Sequence, residues 1–301
     1  MHDLLVVGGG PGGVAAAAYG LHLGLDTLII SPDLGGKVNY HFELEGLPAI
    51  DTVHGSKLTQ IFAAKIDLSS HLAQSVSAVE EIPGGFRVTP EQGEPQEGKT
   101  LVIATGAKPR RLYVPGEDKY WGRGLSYSAL SHAPLFVGRE VAVIGNDRRA
   151  QIAALELSRV ASTVYFIVPR PQMLDPLLME RLTARGNTQL FQRWEVISVD
   201  GKEFVTGLSL QSGDGVIREL KLDGVFVELG LLANSDLVAH LVERDEQGRI
   251  KINHQACTSH PAIFAAGDVT DVHGEQVPIA LGDGIKAALS ASEYLVGQPE
   301  N

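Results

Sequence analysis

Leu4-Leu5-Val6-Val7-Gly8-Gly9-Gly10-Pro11-Gly12-Gly13 decides the fold. The apolar residues suit a buried strand, the glycines a tight turn, and the alanine-rich residues 14–23 that follow suit a helix. A second apolar run at 25–30, just past Gly24, completes a β-α-β unit of about thirty residues. Gly8-x-Gly10-x-x-Gly13 matches the dinucleotide fingerprint, whose glycines allow the turn, the close approach of a pyrophosphate and the packing of helix on strand. Amides at the helix start would then face the phosphates. One usual element is missing. The second strand ends in Ser31, where an acidic residue would hold a ribose, although a serine can still exchange a hydrogen bond.

The same grammar recurs further on. An apolar run at 140–144 meets Gly145-Asn146-Asp147-Arg148-Arg149-Ala150, a helix is expected to about residue 160, and a second apolar run follows at 164–168. Between and after the two units, Phe86-Arg87-Val88-Thr89 and residues 206–210 and 216–222 alternate as antiparallel strands do. Residues 110–116 and 229–234 are candidate crossings. The expected architecture is α/β, with two Rossmann-like three-layer dinucleotide-binding domains, the second inserted into the first. The outer domain would comprise 1–114 and 235–301, the inserted one 115–234, each with added antiparallel strands.

Composition bounds the function. Of 301 residues, 25 are Lys or Arg and 36 Asp or Glu, giving a formal charge of -11, which argues against nucleic acid because phosphate binding depends on clustered cations. A chain that is 44% hydrophobic can bury a core, so disorder is excluded. Cys257 is alone, which rules out an intrachain disulfide framework. Met1-His2-Asp3-Leu4-Leu5-Val6-Val7 has no basic region or cleavage site and reads at once as a strand, so no leader is expected, and no apolar run nears the roughly 20 residues of a membrane span. A soluble cytoplasmic protein is expected.

Four further motifs carry a resemblance. Gly35-Gly36-Lys37, the strand and turn Leu101-Val102-Ile103-Ala104-Thr105-Gly106-Ala107, the segment Ile263-Phe264-Ala265-Ala266-Gly267-Asp268-Val269, and Gln276-Val277 follow the first fingerprint in order. In these the chain resembles the low-molecular-weight thioredoxin reductases almost end to end. The resemblance implies FAD in the outer domain, held by Gly8, Gly10, Pro11, Gly12, Gly13, Ser31, Gly35, Gly36, Lys37, Ala104, Thr105, Gly106, Gly267, Asp268, Gln276 and Val277. Asp268 would take the ribityl chain, and Gly282-Asp283-Gly284 is expected to open the last helix toward the flavin ring. It implies a homodimer as well. Lys37 stands where the family has Gln, Gly46 before Leu47-Pro48 where it has Asn, and Glu275 where it has a basic residue.

The second fingerprint departs more sharply. The family binds NADPH there with Gly-x-Gly-x-x-Ala, and Asp147 replaces the middle glycine. Two like unit charges about 4 Å apart at an effective dielectric of about 20 repel by roughly 4 kcal/mol, enough to weaken binding roughly a thousandfold. Of the family's cluster for the 2′-phosphate only Arg170 survives, in Val168-Pro169-Arg170-Pro171-Gln172-Met173-Leu174. NADPH is therefore not expected. Arg148 and Arg149 would bind a differently placed anion or pair with Asp147 and nearby acids. In lacking the NADPH signature the chain resembles the pyridine-nucleotide-independent branches of the group, among them the diflavin-linked disulfide oxidoreductases with a second FAD in this domain, for which Arg148, Arg149 or Arg170 would supply a cation and Trp121 or Tyr127 a stacking face.

A third departure falls on the redox pair. The family's Cys-Ala-x-Cys-Asp is here Ser128-Ala129-Leu130-Ser131-His132. Serine forms no disulfide, while His132, at the general-acid position, could shuttle a proton or be an ordinary loop histidine. Natural loss and laboratory replacement of a native Cys-Ala-Leu-Cys-His both stay open. His254, Cys257 and His260 lack zinc-ligand spacing, so no metal is expected, and no Gly-x-Ser-x-Gly elbow is present. The reading is an FAD-dependent oxidoreductase of the thioredoxin reductase type that does not use NADPH, with its thiol step disabled in this chain. The donor and the redox partner or small acceptor are unspecified, and quinone or oxygen is one candidate acceptor. A non-enzymatic flavin-binding redox sensor is the alternative.

Overall fold

The apolar runs flanking the two glycine turns become neighbouring parallel strands of two sheets, the outer unit's mixed by its antiparallel β-strands at residues 76–103 and the inserted unit's parallel. The computed structural model describes residues 1–47, 55–170 and 174–298. Among these, one unit gathers 1–40, 55–108 and 232–298, and the other 41–47, 109–170 and 174–231. Residues 41–47, expected in the outer domain, thus pack with the inserted one, where Phe42 and Leu44 enter its core. Pro48 and residues 171–173 lie outside the described residues.

In the outer unit β1 (His2–Val7) leads into α1 (Pro11–His22) and β2 (Thr27–Ile30). Then come α2 (Gly55–Ala63), β3 (His71–Leu72), β4 (Val76–Ile82), β5 (Gly85–Pro90), β6 (Gln96–Ile103) and β7 (Ala107–Pro109). The sheet runs β3-β2-β1-β6-β5-β4, with a later strand on β6. Val7 sits opposite both Ile30 and Ile103, so β1, β2 and β6 end level and the glycine turn leaves the sheet where connectivity reverses. Crevices for ligands form at such switch points.

The inserted unit repeats the plan. It contains α3 (Glu117–Tyr120), β8 (Leu125–Ser126), α4 (Ala129–His132), β9 (Glu140–Ile144), α5 (Arg148–Leu157), β10 (Thr163–Val168), α6 (Pro176–Arg185) and β11 (Thr188–Gln192). The antiparallel strands β12 (Trp194–Gly201), β13 (Val205–Ser212) and β14 (Ile217–Lys221) form a separate sheet before β15 (Gly224–Val227) returns to the parallel one. That sheet runs β11-β10-β9-β15-β8. Ile144 faces both Ile167 and Val227, so β9 is this sheet's switch strand as β1 is of the other.

The chain then passes through β16 (Leu231–Ala233), paired with β7, to β17 (Ile263–Ala265) on β6 and to α7 (Val277–Val296). These crossings fall a few residues earlier than the expected 110–116 and within the expected 229–234. The expected start of the last helix is corrected. Gly282-Asp283-Gly284 lies inside α7, whose N-cap is Gln276 and whose first turn carries Pro278. Proline suits that place because its missing N–H has no partner in a first turn. Gly284 is bare for another reason: a Cβ there would collide with the Gly12 carbonyl of α1.

Candidate functional site

In the outer unit the fingerprint glycines divide by the reason each is bare. Gly8 has φ +106, and a Cβ on it would run into the Ala104 carbonyl at the end of β6. A Cβ on Gly13 would strike the Gly8 carbonyl. Internal packing therefore requires both. Gly10 differs. Its φ of -67 and ψ of 178 suit any residue, and a Cβ would meet nothing within 4 Å among the described residues. It is also the N-cap of α1, where no side chain accepts the first amides. A helix start left bare, at a residue whose bareness the protein does not need, fits the close approach of a pyrophosphate.

The other outer-domain motifs converge on this turn. Gly35 donates its N–H to the Gly9 carbonyl at 2.7 Å, and a Cβ on Gly36 would lie 3.0 Å from the Gly10 Cα. Lys37 forms an ion pair with Asp268, which is 16% exposed against 46% for the lysine. This joins two motifs more than two hundred residues apart in one place. Gly267 comes close to Ala280 of α7, whose carbonyl in turn lies 3.3 Å from the Cβ position of Gly12. Gln276 and Val277 begin α7 itself.

Two of the expected contact residues also bond within the protein. Ser31 Oγ donates to the Asp33 carbonyl at 2.6 Å, which leaves the hydroxyl only as an acceptor, and Asp33 Oδ1 accepts the Gly36 amide at 2.9 Å. Thr105 Oγ1 donates to the Asn234 carbonyl at 2.6 Å, while the Gly106 carbonyl accepts the Asn234 N–H at 2.9 Å. Thr105 and Gly106 thus brace the turn after β6.

The second cradle is filled by the protein's own side chains. Asp147 occupies the N-cap of α5, with Oδ1 accepting the Ala150 amide at 3.0 Å. Its carboxylate takes one of the amides that a pyrophosphate would need. Both arginines reach nearby acids, in line with one of the two expected alternatives. Arg148 Nε lies 3.6 Å from Asp175 Oδ2, and Arg149 Nε donates to Glu228 Oε2 at 2.7 Å. Glu228 stands just past the end of β15, its side chain only 4% exposed, and its Oε1 accepts the Ala129 amide at 2.8 Å. The Arg170 amide donates to Asn146 Oδ1 at 2.9 Å.

The aromatic candidates for a second flavin are engaged as well. Trp121 and Tyr127 meet edge to face with centroids 5.5 Å apart. Tyr127 donates its hydroxyl to Glu117 Oε1 at 2.8 Å, and burial together with that carboxylate pushes the phenol pKa up. Glu117 accepts in addition the amides of Leu112 and Tyr113, each at 2.7 Å.

Within the serine segment, Ser128 Oγ donates to Ser131 Oγ at 2.9 Å. The His132 ring stacks on Phe42 at 4.2 Å with the planes 17° apart, and its Nδ1 lies 2.7 Å from Ser126 Oγ. Burial lowers its pKa to about 4, so the ring is neutral at physiological pH. Elsewhere, His260 Nε2 lies 3.4 Å from Glu81 and its ring meets Phe86 edge on, while Cys257 is partly buried against the core. Among the described residues no three His, Cys, Asp or Glu side chains form a metal-binding group, and no helix is long and apolar enough to cross a membrane.

Sequence reasoning missed Glu228, Ser126 and Glu117. For Glu228 a signal was present: an acid directly after the buried strand Gly224–Val227, at the edge where crevices form.

Residues 2–284 match the model of the pyridine nucleotide-disulphide oxidoreductase family. Over 300 residues the chain is 34% identical to the F component of alkyl hydroperoxide reductase in Staphylococcus epidermidis, covering 98% of this chain and 59% of the relative. The Staphylococcus aureus counterpart is 35% identical with the same coverage, so the chain spans about three fifths of the curated relatives it matches. Among solved structures it is similar to thioredoxin reductase from Streptococcus pyogenes, with TM-score 0.87, 30% identity and 99% of both chains covered. The thioredoxin reductase of Giardia duodenalis gives TM-score 0.85 at 25% identity, covering 98% of this chain and 99% of that one.

Proposed function

This chain belongs to the pyridine nucleotide-disulphide oxidoreductase family, and from that premise we propose that it is an FAD-dependent oxidoreductase of the thioredoxin reductase kind that does not take electrons from NADPH. The observation that carries the proposal is the contrast between the two N-caps. Gly10 leaves the α1 amides uncapped by any side chain, whereas the Asp147 carboxylate caps α5. Anions bind at open helix starts and are repelled by carboxylates.

Gly8, Gly10, Gly12 and Gly13 would hold the pyrophosphate, with Gly35, Gly36 and Lys37 closing over the turn and Asp268 accepting ribityl hydroxyls. Bound FAD would supply a two-electron carrier. Asp147 and the Arg149–Glu228 pair occupy the second cradle, and the commitments of Arg148, Trp121 and Tyr127 favour one FAD per chain over two. Ser128 and Ser131 stand at the positions of the family's redox cysteines, and their hydroxyls touch without any dithiol chemistry to offer. His132 is neutral there and presents Nδ1 to Ser126. Assembly as a homodimer and function in the cytoplasm belong to the same proposal.

The test is the flavin released on denaturing the purified protein. One FAD per chain supports the reading, two would replace it with a diflavin protein, and none would end it.

A further inference from the structure

Glu228 is the least expected charge in the inserted unit. It follows the buried strand β15, is nearly inaccessible, and divides its two carboxylate oxygens between partners on different elements. Oε2 takes Arg149 on the first turn of α5, and Oε1 takes the amide of Ala129, the residue between Ser128 and Leu130. The Glu228 carbonyl also lies against Gly145, where a Cβ would come within 2.5 Å of it. The crevice at the ends of β9 and β15 is therefore crossed by one side chain that reaches the serine segment beyond it.

We infer that Glu228 is a positioning residue that ties the serine segment to the former nucleotide turn, with Arg149 as its second anchor. The physics favours this role over simple filling of space. A buried carboxylate without partners is costly, so both of its bonds must be made, and making both fixes Ala129 relative to α5. Fixing Ala129 also fixes the approach of residues 128 and 131, which touch at 2.9 Å. The inference rests on the reading of Ser128 and Ser131 as the redox-pair positions.

The experiment has two arms. In the flavin-loaded chain, amide hydrogen exchange of a peptide covering 126–133 is compared with one covering 98–104 in the outer unit. E228A should speed exchange in 126–133 at least tenfold and leave 98–104 unchanged. E228Q, which keeps an oxygen for the Ala129 amide, should recover most of the protection. R149A, which touches no residue of the segment by this bond, should raise its exchange several-fold. Unaltered 126–133 exchange in E228A would overturn the inference, and so would an R149A indistinguishable from the parent.

The second arm uses S128C/S131C equilibrated with glutathione, in which two thiols are oxidised to a disulfide as glutathione disulfide is reduced to two glutathiones. Adding E228A should lower the protein's disulfide equilibrium constant about tenfold, equivalent to about 30 mV, because a looser segment brings the sulfurs together less often. A constant unchanged by E228A contradicts the positioning role. Failure of S128C/S131C to form any disulfide contradicts instead the redox-pair reading on which it rests.

Discussion

Gly10 and Asp147 occupy the same place in two copies of one design. Each follows a switch strand whose neighbours end level with it, and each is the N-cap of the next helix. The backbones differ little in kind, since both residues are extended. What differs is one side chain. In the outer unit the helix start has no internal acceptor at the cap, and in the inserted unit it has satisfied itself. One scaffold thus carries an open helix start in one unit and, in the other, a start capped by a carboxylate with the Arg149–Glu228 pair beside it.

The strongest way to break this comparison is to make the first cradle like the second. G10D should weaken FAD binding about a thousandfold, from the roughly 4 kcal/mol of like-charge repulsion at about 4 Å. The variant should fold, since Gly10 has room for a side chain, and should purify without flavin absorbance. A G10D protein that retains FAD stoichiometrically would show that the open cap is irrelevant.

The inserted unit should reveal its internal commitments through pH. His132 takes up a proton near 6.5 when unfolded but only near 4 when folded. Between those values the unfolded chain binds more protons, so stability is complete above about 6.5 and falls as pH drops toward 4. The loss approaches about 3 kcal/mol. H132N should remove that part of the slope in urea unfolding measured across this window, and an unchanged slope would place the acid sensitivity elsewhere.

Smaller effects sharpen the contrast. D147A should cost about 1 kcal/mol of stability through loss of the α5 cap, read as a lower urea midpoint. K37Q removes a half-exposed ion pair, so it should change FAD affinity by only a few-fold, with less dependence on salt than the parent.

The elements carrying this contrast were visible in sequence because they are local. Apolar runs, glycine spacing and the helix that follows are written within about thirty consecutive residues. The role of Asp147 as the N-cap of α5 required the structure. The partners of the arginines could not be read, because Glu228 lies 79 positions from Arg149 and only sheet registry unites them. The start of α7 is obscured in the sequence for a different reason. Gly282 and Gly284 resemble helix-start punctuation, but Gly284 answers to packing against Gly12, and Pro278 marks the first turn. The bond from the Ser31 hydroxyl to the Asp33 carbonyl, which leaves that hydroxyl an acceptor only, is likewise not legible in the sequence.

Calorimetric titration of the flavin-loaded chain with NADPH tests the central contrast most directly. No saturable heat at submillimolar nucleotide is predicted, because the α5 cap and the crevice behind it are already taken. Saturation at one NADPH per chain with micromolar affinity would contradict it.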